Sequence, residues 1–224
     1  MASSFETFKE EIINLQKRIE INQNFHQFIK ASDWDEVIQV VRAIAFGSEY
    51  AILWSVENDI VDERILSMIP VVDLENRNVY NTSVSLTNPG SNIIIRKNGE
   101  LELTMDSDNK VKLIMFGGTA EVTLDDASFL EVELYNESEI NIICNDSSYV
   151  YATSFHQSSP NIELNDQSIV RLFLQGHSTG EVNIKDNGFL NTTAVFESHL
   201  QIKGNINNVQ YDKFEGATIS RQGI

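Results

Sequence analysis

A single cysteine in 224 residues leaves no internal disulfide, so the fold must stand on packing and hydrogen bonds. That suits a reducing cytoplasm. Basic residues are also few, 16 Lys and Arg against 33 Asp and Glu, and the resulting net charge of -17 disfavours nucleic acid or an anionic membrane as a direct partner. The sequence pI is near 4.5. No apolar run approaches the length a membrane helix needs, and the opening Met1-Ala2-Ser3-Ser4-Phe5-Glu6 lacks the basic stretch and apolar core of an export signal. A soluble cytoplasmic protein is the expectation. Chemical signatures are missing too: no Ser-His-Asp order, phosphate-binding loop, paired-Cys zinc pattern or dinucleotide fingerprint appears. The reading is therefore of a protein that is not an enzyme and that needs no cofactor and no metal.

What is present falls into two parts. From residue 1 to 70 apolar residues recur at helical spacing, and Phe5, Phe8, Ile12, Leu15 and Ile19 form one stripe that is diluted by Asn22, Gln23 and Asn24. A second helix should start at Ser32, capped by it and followed by Asp35 and Glu36 near the positive end of the helix dipole, with Trp34, Val37, Val41 and Ile44 inward. Gly47-Ser48 should end that helix and cap the next, which carries Tyr50, Leu53, Trp54 and Val56; Asn58-Asp59 opens a short third, and Pro70 closes the helical part. The expected domains are thus a helical cap over 1–70 and a second domain over 71–224.

After Tyr80 the period changes from helical to alternating, and a twenty-residue repeat emerges. Four segments align without gaps from Glu121: EVTLDDASFLEVELYNESEI, NIICNDSSYVYATSFHQSSP, NIELNDQSIVRLFLQGHSTG and EVNIKDNGFLNTTAVFESHL. One apolar pair recurs as Val122/Leu124, Ile142/Cys144, Ile162/Leu164 and Val182/Ile184. A second set follows each turn, as Leu130/Val132/Leu134, Val150/Ala152/Ser154, Val170/Leu172/Leu174 and Leu190/Thr192/Ala194. Two short strands per repeat, each with one apolar face, cannot bury that face alone; stacked repeats can. The fold class expected is mainly β, a parallel β-solenoid with a small α-helical N-terminal domain. Upstream, Ile93/Ile95, Leu101/Leu103/Met105 and Val111/Leu113/Met115 sit on odd positions until Gly117-Gly118, so one rung should be a residue short. Beyond Gln201 the repeat decays into a tail with Tyr211 and Phe214, where the last rung should lie, with the tail covering part of its open edge.

The corner column Asp126, Asp146, Asp166 and Asp186 is explained by turn formation, since the nonapeptide of calcium-binding β-rolls is absent. Cys144 takes an inward position and reads as a small buried hydrophobe. His156, His177 and His199 fall out of register with one another and form no metal column. The outward positions differ between the two sheets. The first shows Glu121, Thr123, Asn141, Asn145, Asn161, Glu163, Asn165 and Lys185, a face suited to water. The second shows Tyr135, Tyr151, Phe155, Phe173 and Val195 among Arg171, Thr153 and Glu133, an apolar patch that something must cover. The five apolar residues and Arg171 are the candidate interaction face; the helical part, a second subunit or a foreign protein or glycan is its expected cover.

The layout of Trp34-Asp35-Glu36, Phe46 and Asn58-Asp59 followed by a roughly twenty-residue acidic β repeat resembles uncharacterised phage and prophage proteins of Bacteroidetes. The resemblance implies a phage-associated context, in an infected bacterial cytoplasm or a virion, and transfers no catalytic residue. The function expected is a structural or protein-interaction module that binds a partner or itself through a rigid face. Two others compete: an acidic inhibitor that mimics nucleic acid toward a host enzyme, and a glycan-binding protein.

Overall fold

The computed structural model describes residues 4–16 and 25–223, so the readings on Ile19 and on Asn22 to Asn24 lie outside the described residues. The chain divides into two compact units, Met1–Val79 and Tyr80–Ile224.

The first unit contains α1 (Phe5–Gln16), α2 (Phe25–Lys30), α3 (Trp34–Ala45), α4 (Glu49–Glu57), a π-helical turn Ile60–Ile65, a 3-10 turn Leu66–Met68 and α5 (Val71–Glu75). The α1 stripe packs as its spacing predicts, with Phe8, Ile12 and Leu15 buried and the Phe5 ring edge-on to Trp34 at 5.1 Å. Two expectations need correction. The cap of α3 is Asp33, whose carboxylate accepts from the Glu36 N–H at 2.9 Å, while the Ser32 N–H donates to the Glu36 carboxylate at 2.7 Å. Ser32 is thus held by the reciprocal arm of the cap. Pro70 does not close the helical part either; it is the N-cap of α5, and the unit boundary lies at Val79/Tyr80 rather than at residue 70. Proline fits there because a first-turn amide has no intrahelical partner to lose. Among the described residues no single helix is long and apolar enough to cross a membrane.

The strands are β1 (Val79–Tyr80), β2 (Ser83–Thr87), β3 (Ile93–Ile95), β4 (Glu100–Met105), β5 (Lys110–Met115), β6 (Thr119–Leu124), β7 (Phe129–Leu134), β8 (Glu139–Cys144), β9 (Tyr149–Ser154), β10 (Ser159–Leu164), β11 (Ile169–Leu174), β12 (Thr179–Ile184), β13 (Phe189–Ala194), β14 (His199–Gly204), β15 (Val209–Lys213) and β16 (Thr218–Gly223). Even-numbered strands form one sheet and odd-numbered strands the other, each with parallel neighbours two strands apart in the chain. This is the β-solenoid that the repeat predicts. Ile142, Ile162 and Val182 are stacked partners, as are Val150, Val170 and Leu190. All the even-numbered residues assigned inward from Val122 to Ala194 are buried, and they fuse into one core with the odd-numbered Leu101, Leu103, Met105, Val111, Leu113 and Met115 upstream. Pro160 occupies an inward place in central strand β10, where its missing N–H removes one ladder bond toward β12.

The hydrogen bonding has a parity that matters later. Ser159 N–H donates to Ser138 O and Asn165 N–H to Cys144 O, so outward residues bond to the preceding rung. Ser158 O accepts from Thr179 N–H, so inward residues turn their backbone groups toward the following rung.

The phase slip is where the sequence puts it. Thr119 pairs with Glu139 at an interval of twenty, but with Glu100 at nineteen, and Lys110 pairs with Phe129 at nineteen. The missing residue belongs to the corner Phe116-Gly117-Gly118. Its backbone turns through φ +119° and +76° at the two glycines, and a Cβ on Gly118 would lie 2.4 Å from Gly99 O. Ser138 on the next rung completes this corner, accepting from Gly117 N–H at 2.8 Å and donating to Tyr135 O at 2.6 Å. Ser158 repeats the tie by donating to Phe155 O at 2.7 Å.

The other corner uses the aspartate column. Asp126, Asp146, Asp166 and Asp186 all have φ between 52° and 54°, a left-handed conformation that Asp and Asn tolerate. Asp166 Oδ2 accepts from Asp146 N–H, and Asp146 Oδ2 from Asp126 N–H, both at 3.2 Å. The column is therefore a turn device that also ties adjacent rungs. Asp166→Asn keeps both the backbone preference and the acceptor, and is expected to change stability by less than about 0.5 kcal/mol in urea unfolding. Loss of a measured metal affinity in that variant would contradict the turn reading.

The last rung lies in the tail, as expected, but the tail is itself that rung and not a cover over its edge: His199 pairs with Thr218 and Leu190 with Val209, both at intervals of nineteen. Gly204 (φ +84°) and the 3-10 turn Ile206–Asn208, capped by Asn205, make the shorter corner that this spacing needs.

Candidate interaction face

The outward surface of the even-numbered sheet is a set of polar ladders. Asn161 donates to Asn141 Oδ1 at 3.0 Å and Asn141 to Glu121 Oε1 at 2.6 Å; Asn165 donates to Asn145 Oδ1 at 2.8 Å and Asn145 to Asp125 Oδ1 at 2.7 Å. Lys185 and Glu163 pair at 2.6 Å, as do Lys203 and Glu181 at 2.7 Å. The Lys185 hydrogen bond, aided by Asn165 against slight burial, holds the Glu163 carboxyl below its usual range. Ile143, 43% exposed, is the large apolar residue on this face.

The odd-numbered sheet differs, and not quite as the alternation suggests. Tyr151 (42% exposed) and Arg171 project from the strands into solvent, and Phe173 is half-buried beside them. Val195 is half-buried at a corner. Tyr135 and Phe155, assigned outward, are instead buried at 0% and 3% exposure. Each lies one residue past its strand, where the corner turns the side chain out of the strand's alternation. There the two rings stack at 4.8 Å, within 3° of parallel, and Phe116 follows at 6.0 Å. The Tyr135 hydroxyl donates to Glu133 Oε2 at 2.7 Å, and Lys112 bridges Glu131 and Glu133 at 2.8 and 2.6 Å. Burial alone would lower the Lys112 pKa, but its hydrogen bonds to the two glutamates and the charges they carry outweigh that and raise it. These corner rings are structural.

In their place the structure supplies a row that the sequence reading missed: Phe129, Tyr149, Ile169 and Phe189, in register at the first outward position of successive strands. Ile169 is 38% exposed and the three aromatics are half-buried. The Phe129 and Tyr149 rings stack at 5.3 Å with a 12° tilt. Their odd numbers, one before Leu130, Val150, Val170 and Leu190, were the available signal. Tyr151 and Phe173 extend the row on its own rungs, while Glu131, Glu133, Thr153, Arg171, Asn191 and Thr193 fill the remaining outward positions.

Reactive chemistry is sparse. The Cys144 thiol is fully buried, and burial pushes its pKa up to about 12. It is not a nucleophile near neutral pH. His177 faces Glu197 at 3.4 Å and His199 contacts the Thr218 hydroxyl. Among the described residues, no group of three or more His, Cys, Asp or Glu could hold a metal ion.

Fold and faces together define a parallel, two-sheet β-solenoid with polar ladders on one side and a stacked apolar row on the other. No protein-family model matches the chain, nor does any curated protein or solved structure.

Proposed function

We propose that this chain is a non-catalytic interaction module, working in a phage-associated setting, that holds a protein partner on the outward face of its odd-numbered sheet. One observation carries the reading: four stacked rungs each place a large apolar side chain at the same outward position, while the opposite sheet has no such row and is polar at its outward positions apart from Ile143. Strands that met only water would gain nothing from such a row. A rigid ladder presents it without the ordering cost that a mobile loop would incur.

The same geometry weighs against the two competing functions. Rings stacked on one another along the rod, as Phe129 and Tyr149 are, offer edges rather than the open faces on which sugars pack. The exposed corner aspartates are the natural phosphate mimic, but Asp126, Asp146 and Asp166 each use a carboxylate oxygen on a neighbouring backbone amide.

Tyr151→Ser with Ile169→Ser should abolish partner retention from the native host, or any self-association of the wild type, leaving the fold intact. Asn145→Ser with Asn165→Ser on the opposite sheet should leave both unchanged. Mass by light scattering and retention on immobilised protein are the measurements. Equal behaviour of the two double variants would sink the proposal.

A further inference from the structure

The last rung breaks the rule that every earlier rung obeys. Arg221 pairs with Ile202, and the column behind it runs through Val182, Ile162, Ile142, Val122 and Leu103, all buried and apolar. Lys213 pairs with Ala194, and its column continues inward through Leu174, Ser154 and Leu134. Two cations thus stand at interior positions, one from each sheet. Arg221 also reaches Tyr211, the interior residue of β15 that pairs with Thr192: the guanidinium lies 4.9 Å from the ring centre. A side chain of one sheet meets a side chain of the other across the end of the core.

The backbone parity makes these positions decisive. Thr218 N–H donates to Ser198 O and Phe214 N–H to Ala194 O, so alternate residues of β15 and β16 bond back to the preceding rung. The intervening residues, Tyr211, Lys213, Ile219 and Arg221 among them, point their N–H and C=O groups off the end of the rod. The cations therefore sit on the very residues whose backbone an added strand would use. Without them this end would offer what each rung offers the next: free ladder groups at the right spacing and an apolar interior, half-buried at Val209 and Ile219.

We propose that Arg221, stacked on Tyr211, and Lys213 form a stop that prevents a second copy of this chain from pairing with β15 and β16. A rung added beyond them would bury both charges between sheets without acidic partners. The stop is independent of the side face and does not depend on what that face binds.

The test compares Lys213→Val/Arg221→Leu with Lys213→Val/Arg221→Pro by sedimentation velocity over a wide concentration range. Both remove the same charges, but only the leucine variant keeps the N–H that points off the rod. The leucine variant should self-associate at least about tenfold more tightly than the wild type, and the proline variant should not. Far-UV circular dichroism and melting establish that each is folded. Should the leucine pair fail to fold, the single Arg221→Leu variant, which retains Lys213, should still gain association over the wild type. A folded leucine variant, double or single, with the wild-type mass at every concentration overturns the proposal. So does a wild type whose own association is lost with Arg221→Pro alone.

Discussion

Leu172→Asp is expected to leave most molecules unfolded at neutral pH. Leu172 is 3% exposed on β11, stacked between Ala152 and Thr192, so its column offers a carboxylate no cation. A buried charge left unpaired costs roughly 3–5 kcal/mol, a large part of the about 5–15 kcal/mol that holds a typical domain together. Burial would raise the folded-state pKa of the new aspartate above its unfolded value near about 4. The loss should therefore shrink as the pH falls below the folded pKa and the group enters the core neutral, and should be complete well above it. Urea unfolding followed by circular dichroism at pH 4 and pH 7 measures both effects. A loss below about 1 kcal/mol at pH 7 would mean that the space between the sheets is open to water.

Gly118→Ala should be a strongly damaging substitution despite its small size. The residue has φ +76°, and the added methyl carbon would lie 2.4 Å from Gly99 O and 2.7 Å from Arg96 O, both backbone atoms that cannot swing aside. Left-handed backbone costs alanine roughly 1–2 kcal/mol before any clash, so a loss of at least about 2 kcal/mol is expected. Gly90→Ala is the control, because a methyl group there meets nothing within 4 Å. Equal melting temperatures for the two variants would show that the short corner relaxes at no cost.

The solenoid was legible because its physics is periodic. Each inward position recurs every twenty residues, so four weak signals reinforce one another, and even the one-residue slip showed as a change from odd to even numbering. Corner geometry was not legible in that way. Tyr135 and Phe155 continue the odd series of their strands, and only the backbone turn after Leu134 and Ser154 carries their rings out of it. The row from Phe129 to Phe189 was visible as a column but falls between the corner residues and the first inward residue of each strand, and was assigned to neither. The last rung could be placed in the tail, but its register could not be read, because its interior positions hold Tyr211, Lys213, Arg221 and Gly223, residues that look like surface. A terminal rung has no neighbour to bury it, so the hydrophobic pattern that identifies the others is lost there. In the helical unit, Ser32 and Asp33 are both competent caps, and adjacent choices of that kind are settled by where the chain enters the helix.

The interlocked corners bear on how the chain comes to its shape during synthesis. Asp126 N–H waits for Asp146, Asp146 N–H waits for Asp166, and Gly117 N–H waits for Ser138. Each rung is thus completed by the one translated after it, about twenty residues later, and no ladder contact requires the chain to search further than that. The loop to be closed stays the same size however long the rod becomes. A nascent chain leaving the ribosome can therefore consolidate rung by rung, with a single unfinished rung exposed at any moment.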